Sequence, residues 1–277
     1  MSYILVEFII GFFFLGIASV YDMRTREVPY WVSISFLSTA ICTRIIYSIV
    51  TSSYVPILHG FYGFLVLGFI GYILFKFNIW GGADFTILTG VGCLMGFELY
   101  NPLSFNFLTN LFFFGGIVGM FYSIYLGLKK SKQLNYVLPK YMNSIYIIST
   151  IILLIGLLSF KRNLLIPFLL FAILIPLIVL FIDYIKQVET KLMTVNVKIP
   201  ELTEGDWIVK DISYKNKIIA KKKEYGLSKQ ELKKLNELYK DKKITKVWIK
   251  IGMPFIPNFL IAFIITYSFG NILFLFL

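Results

Sequence analysis

The strongest constraint on this chain is its succession of long apolar runs, separated by short polar stretches. The runs fall at about 3–20, 31–50, 57–77, 85–99, 106–127, 143–160, 164–184 and 253–276. An apolar run of about 18 residues or more is long enough to cross a bilayer as a helix. The run at 85–99 is short for that, and those at 143–160 and 164–184 are divided only by Lys161-Arg162-Asn163. The pattern therefore predicts an α-helical polytopic membrane protein with about six to eight transmembrane helices. Composition agrees: 58% of the 277 residues are hydrophobic and 15% are charged, where a soluble domain carries roughly 25%. The start of the chain lacks the basic leader and small-residue cleavage site of a secretory signal, so the first run is expected to be a retained helix.

Net charge is +12, and 17 of the 27 Lys and Arg fall within 186–250. That concentration predicts a basic, membrane-proximal module near anionic headgroups. Nine acids share the stretch, and it holds no nucleic-acid-binding motif, so no nucleic-acid partner is expected. Trp207-Ile208-Val209 and Lys246-Val247-Trp248-Ile249 read as strands. Ser228-Lys229-Gln230-Glu231 matches a capping box, opening a helix with Leu232, Leu235 and Leu238 on one face. The result is a small α+β cytoplasmic module before the last helix, with little room for a core of its own and expected to lean on the membrane part. The division expected is 1–185 membrane-embedded, 186–250 module and 251–277 C-terminal transmembrane helix. With the 21–30 loop on the cytoplasmic side, 24 of the 27 basic residues lie inside, a positive-inside signature.

Acids are sparse in the apolar part: Glu7, Asp22, Glu27, Asp84, Glu98 and Asp183. Ionisable groups at membrane depth are costly and often functional. Glu7, Glu98 and Asp183 lie near segment ends and read as solvated charges or caps, and His59, the sole histidine, as an interface residue. One histidine excludes a His-based triad or a His-rich metal site. Cys42 and Cys93 stand alone in apolar runs, so neither metal nor cofactor is expected. Gly92-x-x-x-Gly96 and Gly115-x-x-x-Gly119 read as helix-packing positions.

Asp22 directly follows the first run, and Asp84 closes Trp80-Gly81-Gly82-Ala83-Asp84 just before the fourth. The orientation fixed by the basic residues puts both acids at the cytoplasmic face. Two carboxylates within a few ångströms share a proton near neutral pH. The ionised one can take a proton from water as it attacks a peptide carbonyl, while the protonated one polarises that carbonyl. Gly81, Gly82 and Ala83 would permit tight turn geometry and the close approach of a substrate backbone. Asp84 would open the fourth helix, a favourable place for a carboxylate. The same residues leave another class open, an ion-coupled transporter with Asp22 and Asp84 as relay groups.

Asp22-x-Arg24-x-Arg26-Glu27-Val28-Pro29, together with Gly81-Gly82-Ala83-Asp84, resembles the type IV prepilin peptidase family of GxGD-type aspartic proteases. The likeness is to its archaeal preflagellin and prepilin peptidase branch. Glu204-Gly205-Asp206-Trp207, Gly226-Leu227-Ser228 and Gly252-Met253-Pro254-Phe255 resemble the C-terminal module of archaeal members. The resemblance implies a multi-pass membrane endopeptidase that cuts the short basic leader from archaellin or pilin-like precursors at the cytoplasmic face. Asp22 and Asp84 would be its catalytic pair. Bacterial relatives often add methyltransferase activity and a cysteine-rich zinc segment; that segment is missing here, so cleavage without methylation is implied. Glu27 is the acid nearest in sequence to receive a basic leader. The chain departs from the pattern at Ala83, where the motif has Gly, and at Thr86, where many members carry Lys. Presenilin-type intramembrane proteases share Tyr-Asp and Gly-x-Gly-Asp motifs. They put their acids in adjacent helices and carry Pro-Ala-Leu, which is absent here.

Overall fold

The computed structural model describes residues 3–77, 79–98, 103–158, 162–215, 217–222 and 226–275. Lys161 and the expected span ends at 99, 160 and 276 lie outside them. The apolar runs form α1 (Tyr3–Thr25), α2 (Tyr30–Val50), α3 (Val55–Lys76), α4 (Gly82–Met95) and α5 (Leu103–Lys129). After the short α6 (Ser131–Leu134) come α7 (Met142–Leu158) and α8 (Arg162–Leu192). The module holds β1 (Thr194–Lys198), β2 (Trp207–Ile208), β3 (Ile212–Tyr214), β4 (Lys217–Ala220), α9 (Lys229–Lys240) and β5 (Lys246–Lys250), and α10 (Ile256–Phe269) follows. α1, α2, α3, α5 and the Ile166–Leu192 part of α8 are long and apolar enough to cross a membrane. α4, α7 and α10 are shorter apolar helices. The chain is thus a polytopic α-helical membrane protein with a small sheet-bearing module.

By packing, the chain forms two compact units, residues 1–119 with 196–277, and residues 120–195. In the second, α7 packs on α8, and Leu134 of α6 lies against Val188 and Leu192. Asp183 accepts from Tyr141 Oη at 3.1 Å and from Gln187 Nε2 at 2.7 Å, so it is a bonded group and not a loose interface charge.

The first unit is built around α4, whose residues from Ile87 to Met95 are all buried. α2 and α3 pack against it, and α1 packs on α10. Gly63 of α3 and Gly92 of α4 meet backbone to backbone, where a Cβ on either would collide with the other's carbonyl. That is the packing role expected of Gly92. Gly96 behaves differently: at φ 69° it stops α4 instead of continuing it.

At 14 residues and 1.5 Å per residue, α4 is roughly 21 Å long, short of the ~30 Å hydrocarbon core. Its free carbonyls therefore end at membrane depth, where each needs a donor. Arg44 of α2 supplies them, with Nε to the Cys93 carbonyl at 3.1 Å and Nη2 to the Leu94 carbonyl at 2.5 Å. Its charge is met by Glu7 of α1, 2.8 Å away, which also accepts from Tyr267 Oη at 3.2 Å. The sequence places Glu7 at a solvated segment end. The structure instead buries it to 3% exposure, because the partner that makes burial tolerable comes from another helix.

α10 ends the same way. The expected span 253–276 is cut short at Gly270, φ 71°, and a 3-10 turn, Ile272–Leu275, follows. Buried Asn110 of α5 donates to the Gly270 carbonyl at 2.8 Å and to Thr266 Oγ1 at 2.9 Å, and accepts from the Ile272 amide at 3.0 Å.

In the module β1, β5 and β2 form a sheet in that order, and β3 pairs with β4. The expected strands are β2 and β5, antiparallel with Ile208 opposite Ile249. The expected capping box is present, with the Ser228 amide donating to Glu231 Oε2 at 3.0 Å. Contrary to the expectation of little core, Ile199, Ile208, Ala220, Leu227, Leu235 and Val247 form one.

Arg44→Met strands buried Glu7 and leaves two carbonyls without their donor. It is expected to lower stability in detergent by about 3–5 kcal/mol, the loss typical of breaking a buried charge pair. Glu7→Gln should lower it less, because Arg44 keeps both carbonyls. Equal losses in thermal unfolding would show that capping of α4 contributes little.

Candidate active site

Asp22 does not lie in a loop after the first span. α1 continues three residues past it, so it sits in the helix's last turn, buried to 7% exposure. Its Oδ2 accepts from the Ile256 amide at 2.8 Å, and the Phe255 amide also points to it. Those amides open α10, so the carboxylate occupies a helix N-terminus, where unpaired N–H groups favour an anion. Arg26, in left-handed conformation at φ 59°, ends α1. Its Nη1 donates to the Gly252 carbonyl at 2.6 Å and ties α1 to the segment entering α10.

Asp84 is the third residue of α4 and not its N-cap, which is Gly81. Its Oδ2 accepts from the Gly81 amide at 2.9 Å, turning the side chain back over the start of its own helix. Asp84 is half-buried and lies within electrostatic reach of Asp22. The structure thus brings together two acids that are two helices apart in sequence, each held by backbone N–H groups at the start of a short helix.

Gly81 has φ −78° and ψ 168°, and neither Gly82 nor Ala83 has positive φ. Contrary to the expected tight turn, no glycine-only conformation occurs here, so what these residues contribute is small size. A Cβ at Gly81 would lie 3.5 Å from Asp84 Oδ2. Ala83 in place of Gly therefore carries no backbone strain. Thr86 donates to the Gly82 carbonyl at 3.0 Å and so is engaged within its own helix.

Trp80, buried to 5% exposure, joins the two helix starts. Its ring centroid lies 5.4 Å from those of Phe255 and Phe259 and 6.0 Å from that of Phe112. The sequence reading missed the amides of Phe255 and Ile256, since backbone donors leave no residue signature. It also missed Asn110 and Arg44, though a lone cation inside a span was a usable signal.

Glu27 is exposed at the end of this region, with Oε1 accepting from Thr203 Oγ1 of the module at 3.0 Å. The Thr203 amide donates to Asp206 Oδ2 at 2.7 Å. Gly205 and Gly226 pack backbone to backbone beside it, both at positive φ, and the Gly205 amide donates to the Leu227 carbonyl at 2.9 Å. The Glu204–Trp207 and Gly226–Ser228 stretches singled out in the sequence therefore meet at one place.

Residues 9–124 match the type IV leader peptidase family. The matched region takes in most of α1, all of α4 and both acids. The chain is similar to the preflagellin peptidase of Methanococcus voltae, 31% identical over 154 residues, which cover 48% of this chain and 65% of that protein. Preflagellin peptidases of Methanocaldococcus jannaschii and Methanococcus maripaludis are 28% and 34% identical over 36% and 33% of this chain. Those stretches cover 43% and 39% of these two relatives, so each comparison spans less than two thirds of the relative's length. No solved structure matches. The leader-peptidase match and the pairing of acids fall on the same helices.

Burial pushes the Asp206 carboxyl above the usual carboxylate range, the Thr203 amide pulls it partly back, and the Glu27 charge adds to the rise. An acid raised in the folded state contributes stability below the ordinary value of about 3.9 and loses it as pH rises through the raised value. Asp206→Asn should therefore stabilise the protein relative to wild type at pH 7, with the difference shrinking toward pH 4. A difference in melting temperature that does not change with pH would rule this out.

Proposed function

We propose that this chain is an aspartic-type membrane endopeptidase. It removes the short basic leader from archaellin or type IV pilin-like precursors, at the cytoplasmic face, using Asp22 and Asp84. The observation that carries the proposal is that these two acids, held at the starts of α10 and α4, lie within electrostatic reach of each other, both in the stretch that matches the leader peptidases. The relatives' name, preflagellin peptidase, supports the substrate class. The excess of basic residues on the side of Asp22 and Asp84 supports the cytoplasmic face.

In this mechanism one ionised aspartate removes a proton from water as its oxygen bonds to the scissile carbonyl carbon. The other, protonated, donates a hydrogen bond to the carbonyl oxygen. Collapse of the tetrahedral intermediate breaks the C–N bond, and a carboxyl proton passes to the leaving amine. Gly81, Gly82 and Ala83 leave room for the substrate backbone beside Asp84. Glu27, exposed beyond the last turn of α1, receives the positive charge of the leader. Neither a metal nor a cofactor is called on. The presenilin-like and ion-relay readings are not favoured by the family match.

Membranes carrying wild type should shorten a precursor on a gel. Asp22→Asn and Asp84→Asn, at equal expression, should each reduce the rate by about 10²–10⁴-fold, the usual contribution of a positioned acid or base. Either variant cutting at near the wild-type rate would show that acid to be structural. Glu27→Gln should raise KM for basic leaders more than it lowers kcat; an unchanged KM removes Glu27 from leader binding.

A further inference from the structure

The motif that begins at Asp22 also contains Arg26, which the two-acid mechanism does not use. Arg26 ends α1 in left-handed conformation, φ 59°, and its amide donates to the Asp22 carbonyl at 2.9 Å. Glycine closes a helix in this way most easily, because it has no Cβ to crowd the turn. An arginine at such a position carries a backbone cost that a role for its side chain must offset. That side chain reaches 226 positions along the chain, where Nη1 donates to the Gly252 carbonyl at 2.6 Å.

Gly252 lies in the stretch 251–255 between β5 and α10, which is neither helix nor strand. Pro254 within it has no amide to donate. The far end of this irregular stretch nevertheless has to place the Phe255 and Ile256 amides on Asp22. Residues 22 and 26 at the end of α1 are thus bonded to residues 256 and 252, two links four positions apart on each segment. In one link the α1 side chain accepts, and in the other it donates. Together with the packing of Trp80 on Phe255 they frame the entry to α10.

We propose that Arg26 is a positioning residue for the catalytic pair: by holding the Gly252 carbonyl it fixes the Phe255 and Ile256 amides against Asp22. The inference rests on the proposed peptidase function and adds a residue that acts through Asp22. The Arg26–Gly252 bond is exposed, so water can replace it at little cost in stability. Rate is more sensitive, since a displacement of about 1 Å at a reacting group can cost about a hundredfold.

The test combines cleavage with hydrogen exchange of the purified protein in nanodiscs. It uses wild type, Arg26→Gly, Arg26→Lys and a control, Arg24→Gln, that removes a charge from the last turn of α1. Arg26→Gly suits the left-handed backbone and deletes the link. It should lower kcat for a defined precursor with a basic leader by about 10–100-fold, with KM unchanged. It should also speed exchange of the Phe255 and Ile256 amides by about tenfold. Arg26→Lys, which can donate to the same carbonyl, should recover most of both, and Arg24→Gln should match wild type. A residue that only ends the helix predicts no loss in Arg26→Gly, and one that meets the leader predicts a change in KM. Either result would overturn the proposal. So would a loss in Arg26→Lys or Arg24→Gln as large as in Arg26→Gly. The two readouts separate this inference from the peptidase function. Cleavage that survives Arg26→Gly leaves the peptidase standing and removes the positioning role. No cleavage by wild type, with exchange still dependent on Arg26, removes the peptidase and keeps the hold on the amides.

Discussion

Hydrocarbon offers no water to a free peptide group, so a helix that ends inside it must find its partners in the protein. This chain has two such helices in one unit, α4 and α10, each of 14 residues. Each is stopped by a glycine at positive φ, and each stop is satisfied by a buried side chain from a neighbouring helix. For α4 that side chain is Arg44, and for α10 it is Asn110. The charge of Arg44 is met by Glu7 at 2.8 Å. The two polar networks are therefore the condition on which short helices can exist in this bundle.

Short helices matter because of what their other ends hold. The first amides of a helix are unpaired and point at whatever lies beyond. At α10 they point at Asp22, and at α4 the Gly81 amide points at Asp84. Each carboxylate is thus held by backbone donors fixed by the fold rather than by mobile side chains. Trp80 packs against Phe255 and Phe259, so the loop before α4 and the entry to α10 are set by one aromatic contact. An error in the length of either helix would shift one acid against the other.

What was legible in the sequence was local. The apolar runs, the Ser228–Glu231 cap and the strands at Trp207 and Lys246 depend on neighbours a few residues away. The misreadings share one cause. Glu7 looked solvated because Arg44 lies in the next helix, and Asp22 looked like a loop residue because its partner is 234 positions away. The length of α10 was overestimated because apolar residues continue past Gly270, while the backbone is ended by Asn110, 160 residues earlier. Periodicity and composition report what a segment can tolerate, and these features depend on partners it cannot name.

The proposed function asks a basic leader to approach a basic protein. A net charge of +12 would repel a positively charged leader at long range. Beyond a Debye length of about 8 Å at physiological salt, however, exposed charges are largely screened, and the sign of the immediate surroundings decides. Glu27 and Asp206 meet across Thr203, near enough for the Glu27 charge to add to the rise of the Asp206 carboxyl.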